Sequence, residues 1–316
     1  MKVVSLFRLG ELEDKLKETF PQVEFKFIKK AKNIPNEDRQ SLDILIGYDG
    51  SLDETFLEDC PNLKWIAWYA TGVNSLPLNY INKRNIKLTN SRGVQAKQLS
   101  EFIIAFILDD YKKMKTSFIN QQNRIYDSKM TGRRLNGDCI LFLGTGAIAQ
   151  RTAKLAKAFD MKVIGVSKSG EHKEWFDEVQ TIDNLSDLLG KGDIVINSLP
   201  ETDETIHLIK YKDFENMKES AMFINVGRGT VVEEDTLIKA LSNNEIRHAY
   251  LDVFEKEPLT SDNALYDLDN VTITAHITGN DHGINHDVTE IFIKNLKHFL
   301  NYGNLIENEV DPVKRY

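Results

Sequence analysis

Three things are scarce in this sequence, and each scarcity excludes a class of protein. Only two cysteines occur in 316 residues, Cys60 and Cys139. Neither belongs to a C-x-x-C pair, so a disulfide scaffold and a structural zinc site find no support, and no metal is expected. Each is expected to be a small buried hydrophobe in a reducing compartment. Long apolar runs are also missing. The longest, FIIAFIL at 102–108, is far below the roughly 20 residues that span a bilayer. The N-terminal MKVVSLFRLGELEDK meets charge at once and reads as a first strand, not a signal peptide. No membrane association is expected, and the location is expected to be cytoplasmic. Positive charge is the third deficit. Lys and Arg number 40 against 48 Asp and Glu, a net charge of −8, with no basic cluster to track a phosphate backbone. Nucleic acid is therefore not an expected partner.

What remains is an alternation of short apolar runs with helical or turn segments. At roughly 150 residues per domain, two domains are the default. VVSLF (3–7), EFKFI (24–28), DILIGY (43–48), KWIAWYA (64–70) and KLTN (87–90) read as strands. Residues 97–119 read as one long helix with apolar residues at three- and four-residue spacing. A polar, basic stretch follows. From Cys139 the pattern sharpens. CILFLG, KVIGVS, DIVINSLP, AMFINVG, HAYLDVF and VTITAH are apolar runs, each ended by a polar or glycine-rich element. This is the rhythm of βα units in a doubly wound, mostly parallel sheet. The final amphipathic helix, near DVTEIFIKNLKHFLNYG, is expected to return to the first domain. The expected division is 1–95 with 285–316 as a substrate-binding, flavodoxin-like domain, and 96–284 as a Rossmann dinucleotide-binding domain. The active site is expected in the cleft between two such α/β domains.

LFLGTGAIA places Gly144, Gly146 and Ala149 in a G-x-G-x-x-A array between a strand and a helix. The first glycine allows a tight turn. The second lets a pyrophosphate approach the backbone, and the alanine lets the helix pack close. Free N–H groups at the helix start then face the phosphates. An acid at the end of the next strand would bind the ribose hydroxyls of NAD. Here stand Ser167, Lys168 and Ser169, which suit donation to a 2′-phosphate. NADP(H) is the expected cofactor, with NAD(H) possible.

Three later segments carry chemistry. NVGRGTVV holds Arg228, LDVFEKEPL holds Asp252 and Glu257, and TITAHITG holds His276. With GTGAIA, SLPETDET and MFINVGRGTVVEEDTLIKAL, these segments resemble the D-isomer-specific 2-hydroxyacid dehydrogenase family, in register over about 64–316 and more weakly before. The Ser-Lys-Ser loop and the tail LIENEVDPVKRY resemble its NADPH-dependent glyoxylate/hydroxypyruvate reductase branch. The resemblance implies that His276 is the acid/base, Glu257 its partner and Arg228 the clamp on the substrate carboxylate and carbonyl. A carboxylate beside an imidazole favours the imidazolium, and the planar guanidinium fork suits a carboxylate. It implies substrate contacts from Thr71, Gly72 and Val73. It implies cofactor contacts from Thr145, Ala147 and Ile148 in the glycine turn, and from Leu199, Pro200 and Thr205 in SLPETDET. Val226, Gly227, Asp252 and Gly279 complete that set, with Asp252 on the nicotinamide carboxamide. His282 and His286 are candidates for the cleft edge, and Trp68 either limits the pocket or packs as a core aromatic. Three positions depart from the family pattern: Ala275 where proline is usual, Asp160 where glycine is common, and Ser100 in place of alanine.

The expected activity is reduction of a small 2-oxo acid by NADPH to the D-2-hydroxy acid in a homodimeric enzyme. The alternatives are an NAD-dependent D-lactate-type or D-3-phosphoglycerate dehydrogenase, or a cofactor-sensing binding protein.

Overall fold

The computed structural model describes residues 1–281 and 283–314. His282 therefore lies outside the described residues. The chain divides into two compact units, Met1–Gln95 with Asp281–Tyr316, and Ala96–Asn280.

The first unit is built on five strands: β1 (Lys2–Ser5), β2 (Glu24–Phe27), β3 (Ile44–Gly47), β4 (Trp65–Trp68) and β5 (Lys87–Thr89). All pair in parallel, in the order β2-β1-β3-β4-β5. The central strands ILIG and WIAW are buried along their whole length, as a sheet covered on both faces requires. The last helix, Ile284–Tyr302, packs on one face. Its Phe292 stacks on Trp65 with centroids 5.0 Å apart, and Phe299 lies 5.7 Å from the same ring. Such aromatic contacts add about 0.5–1.5 kcal/mol beyond area burial. The Trp65 indole N–H donates to Thr89 Oγ1 at 3.0 Å, so the large ring buries no orphan donor.

The second unit holds seven strands: β6 (Cys139–Leu143), β7 (Lys162–Ser167), β8 (Glu178–Thr181), β9 (Ile194–Asn197), β10 (Met222–Asn225), β11 (His248–Leu251) and β12 (Val271–Ile273). They too pair in parallel, in the order β12-β11-β10-β9-β6-β7-β8. The order reverses beside β6, the position where doubly wound sheets bind their ligands. Leu99, Ile103, Phe106 and Ile107 of one helix pack in the same core as Ala149, Ala153 and Ala156 of another.

Two local expectations change. The long helix over 97–119 is two helices, Ala96–Tyr111 and Met114–Gln122, broken where Lys113 takes a left-handed conformation (φ 56°). Asp109 Oδ1 accepts the Lys115 N–H at 2.9 Å and caps the new start. β8, EVQT, has no counterpart among the expected strands. All four of its residues are half-buried, so it shows neither a buried run nor an alternation. Asp160 adopts φ 57°, which explains glycine's frequency there. Aspartate is one of the few other residues that tolerate this region. No helix among the described residues is long and apolar enough to cross a membrane.

Candidate active site

Parallel pairing brings the carboxyl ends of β6, β9, β10, β11 and β12 to one end of the second sheet. At β6, Gly144 adopts φ 94°, and a Cβ there would meet Ser198 Oγ at 3.2 Å and Leu199 Cδ2 at 3.3 Å. The turn thus needs glycine for its conformation and for its fit against the loop after β9. Gly146 is the N-cap of the helix Ala147–Lys157. It gives no side-chain cap, no acid occupies the first turn, and a Cβ at Gly146 would meet open space. The first helical N–H groups thus face outward at the positive end of the helix dipole, which fits a pyrophosphate. Thr145 is buried and its carbonyl accepts from Gln150 Nε2, while the half-buried Ile148 packs into the core.

The loop after β9 carries Leu199, Pro200 and Thr205. Thr205 Oγ1 donates to the Pro200 carbonyl at 2.7 Å and accepts from the Thr202 N–H at 2.8 Å, so this hydroxyl pins the loop itself. Two buried asparagines that sequence reasoning did not single out, Asn197 and Asn225, close β9 and β10. Asn197 Nδ2 donates to Asn225 Oδ1 at 2.9 Å, and Asn225 Nδ2 donates to the Arg228 carbonyl at 3.2 Å. Val226 and Gly227 are tied in by the Asn197 carbonyl and Asn225 Oδ1. The only sequence signal was an asparagine ending each of two apolar runs, IVIN and MFIN.

The glycines flanking Arg228 are explained by close approach. A Cβ on Gly229 would lie 1.9 Å from the Phe254 carbonyl carbon, and one on Gly227 would lie 2.8 Å from the Leu199 oxygen. The Arg228 backbone is therefore wedged between the loops after β9 and β11. Its Nη1 donates to the Gly227 carbonyl at 2.7 Å. Phe254 links onward, because its N–H donates to Glu257 Oε1 at 3.0 Å. The other oxygen, Glu257 Oε2, lies 2.7 Å from His276 Nδ1. His276 Nε2 has no protein partner among the described residues, and 54% of the side chain is exposed. One ring nitrogen is held by a carboxylate and the other is open, the division an acid/base imidazole needs.

Asp252 shapes the loop that carries this histidine. It is 1% exposed. Its Oδ1 accepts from Thr274 Oγ1 at 2.6 Å and the Ile277 N–H at 2.9 Å, and its Oδ2 from the Thr278 N–H and hydroxyl. Its carbonyl accepts the His276 N–H at 2.9 Å. Both oxygens are thus engaged within the protein. The same bonds fix a loop in which Ala275 replaces the rigid proline and His276 takes φ 52°. Gly279 follows in the 277–280 turn.

On the strand-end loop after β7, Ser167 Oγ accepts from the Gly170 N–H at 3.1 Å and Ser169 Oγ from the Glu171 N–H at 3.2 Å. These bonds use acceptor capacity and leave the hydroxyl protons to donate. Lys168 Nζ pairs with Glu204 at 2.8 and 2.9 Å.

In the first unit, Trp68 is 1% exposed, a core aromatic. Its indole also shapes the 71–73 loop, donating to the Gly72 carbonyl at 2.9 Å. Asn90 Nδ2 donates to the Thr71 carbonyl and Thr71 Oγ1 to Gln95. The Gly72 and Val73 N–H groups meet no protein acceptor among the described residues. His286 is exposed beside Asp287 and Glu290. Among the described residues there is no cluster of three or more metal-ligating side chains.

Residues 104–278 match the sequence model of the family described as "D-isomer specific 2-hydroxyacid dehydrogenase, NAD binding domain". A glyoxylate/hydroxypyruvate reductase B of an Enterobacter species is 30% identical, with 96% of this chain and 95% of that protein aligned. A glyoxylate reductase of Pyrococcus horikoshii is 31% identical over 78% of this chain and 75% of its own length. The crystal structure of a D-isomer specific 2-hydroxyacid dehydrogenase family protein from Aeromonas salmonicida subsp. salmonicida superimposes with a TM-score of 0.88. It is 30% identical, covering 98% of this chain and 99% of that one. By sequence and fold, the chain is an enzyme of the D-isomer specific 2-hydroxyacid dehydrogenase family.

Proposed function

We propose that the enzyme reduces a small 2-oxo acid of the glyoxylate or hydroxypyruvate type to the D-2-hydroxy acid, using NADPH. The observation that carries this reading is the His276–Glu257 contact at 2.7 Å with the far imidazole nitrogen left open. When bound, the nicotinamide supplies a hydride to C2 of the substrate. His276 gives a proton from Nε2 to the carbonyl oxygen, so C=O becomes CH–OH. Glu257 holds Nδ1 and fixes the ring's orientation, so that Nε2 faces the substrate. Arg228 binds the substrate carboxylate and polarises the carbonyl. Gly227 and Gly229 let its backbone sit between the loops after β9 and β11, and its Nη1 donates to the Gly227 carbonyl at 2.7 Å. The open N–H groups of Gly72 and Val73 are assigned to anion binding. The relatives named glyoxylate reductase favour the small substrate.

Preference for NADPH rests on the loop after β7. Residues 167–170 hold no carboxylate, and they offer two hydroxyl donors and an ammonium. A panel of 2-oxo acids assayed with NADPH and NADH in parallel tests both parts. Glyoxylate or hydroxypyruvate should give the highest kcat/KM, at least tenfold better with NADPH. A tenfold preference for NADH would remove the cofactor reading and leave the acid/base reading standing.

The reading includes a homodimer in a reducing, cytoplasmic setting. Met114, Phe118 and Ile119 on the helix after the Lys113 break, with Ile125 and Tyr126, are exposed, Tyr126 at 95%. An apolar cluster of this kind fits a second copy of the chain. Light scattering should give twice the chain mass, and Phe118→Glu with Ile119→Lys should halve it. A monomeric wild type refutes this part.

A further inference from the structure

β7 and β9 flank β6 in the sheet. The Lys168–Glu204 pair joins the loop after β7 to the loop after β9. It therefore spans the carboxyl end of β6, where the 144–146 glycine turn lies. Both side chains are open to water, at 74% and 71%, so a ligand can displace either partner. Both Glu204 oxygens lie within 3 Å of the ammonium, at 2.8 and 2.9 Å. The loop bearing Glu204 is anchored on both sides of that residue, where Thr230 Oγ1 donates to Glu201 Oε2 at 2.8 Å and the His207 N–H donates to the Thr230 carbonyl at 2.7 Å. A carboxylate on an anchored loop thus sits beside the cation assigned to the 2′-phosphate.

We propose that Glu204 sets the strength of the 2′-phosphate preference by competing with that phosphate for Lys168. The inference rests on the NADPH reading above. A phosphate that takes Lys168 must displace the carboxylate and then lie near its negative charge. NADH carries no such group and meets neither cost. Glu204 therefore tempers discrimination without touching the reacting atoms. It is a specificity residue for the cofactor and has no part in proton transfer. Because both groups are exposed, the effect is screened by salt.

Calorimetric titration tests this without turnover. The probes are adenosine 2′,5′-bisphosphate and adenosine 5′-monophosphate, then NADPH and NADH. In Glu204→Gln at low salt, the bisphosphate and NADPH should bind roughly three- to tenfold tighter, while the monophosphate and NADH stay within twofold. The gain should shrink at high salt and in a Lys168→Gln background. Unchanged or weaker NADPH binding in Glu204→Gln overturns the proposal, as does a selective loss of NADH binding, which would make Glu204 a ribose acceptor. Lys168→Gln alone separates the two readings. If it leaves NADPH binding unchanged, the cofactor reading itself falls. If it weakens NADPH binding and Glu204→Gln is silent, only the competition falls. Both sites are on the surface, and an unchanged Tm confirms that folding is not at issue.

Discussion

At the carboxyl end of β12, His276 is more than half exposed and one nitrogen rests on a carboxylate. At the amino end of β11, in the same sheet, His248 is half-buried, with Nε2 on the Thr272 hydroxyl at 3.0 Å and its ring 4.9 Å from that of Tyr250. Two aspartates repeat the contrast. Asp252, after β11, gathers the loop that presents His276. Asp193, before β9, accepts the Cys139 N–H at 2.9 Å and Lys218 Nζ at 2.8 Å, and so fastens the starts of neighbouring strands. The amino end also has a cavity of about 420 Å³, lined by Lys191, Lys218, Glu178 and Asp193 among others. Those four charges pair with one another. Cys139 lies there too, and burial pushes its thiol up to about 11, an inert state. The lesson is that residue type does not decide role. All strands point one way, so loops with open donors collect at one end, and polar groups at the other are consumed in holding strands together.

The sharpest break would come from His276→Ala. Turnover should fall by about 10³-fold or more, the scale of general acid–base catalysis, with NADPH binding and Tm unchanged. Substantial residual turnover would mean that the carboxyl end is no more chemical than the other. Glu257→Gln should follow, with kcat down roughly 10²-fold. The amide keeps one oxygen for the Phe254 N–H, but it offers the imidazole a neutral partner and can donate toward Nδ1, which disfavours the required tautomer. A change confined to KM would count against the orienting role. At the opposite end, Asp193→Ala should lower stability by about 1–3 kcal/mol, because a buried N–H and an ammonium lose their acceptor. Its kcat and KM should match wild type. Denaturant titration and steady-state kinetics on the same preparation check both.

Much of the fold was legible because the strands announce themselves locally. ILIG, CILFL and MFIN are apolar runs ended by glycine or a polar residue, and each is a buried parallel strand. β8 was not legible, because a half-buried edge strand carries neither signal. The helix break at Lys113 was hidden because a left-handed lysine followed by a side-chain cap reads as continuous helix. In the site, the glycine turn has a local signature. The contact between Glu257 and His276 does not, and only a family resemblance suggested it. The Asn197–Asn225 pair, the ties from Asp252 to its loop and the Lys168–Glu204 bridge were out of reach. They join residues 22 to 36 positions apart through the sheet order, which a single sequence does not state.

The smallest effect separates the two histidines by pH. Burial pushes His248 down from 6.5 to about 4, with Asp110 working in the opposite direction and Lys115 and Arg247 adding to the fall. The unfolded chain takes up that proton near pH 6.5, and the folded protein only near pH 4. Between these values the unfolded state binds more protons, so this residue's contribution to stability is present above pH 6.5 and is lost as pH falls toward 4. Partial solvent access reduces the effect to about 1–2 kcal/mol. Carboxylates contribute their own acid losses, so the readout is a difference. In His248→Phe the fall in unfolding free energy between pH 6.5 and 4 should be shallower than in wild type by that amount. The pH profile of kcat/KM should be the same in both proteins. A parallel fall in stability would show that His248 titrates alike in both states. A shifted kinetic profile would show that the two ends of the sheet communicate, and the division of labour drawn between them would have to be abandoned.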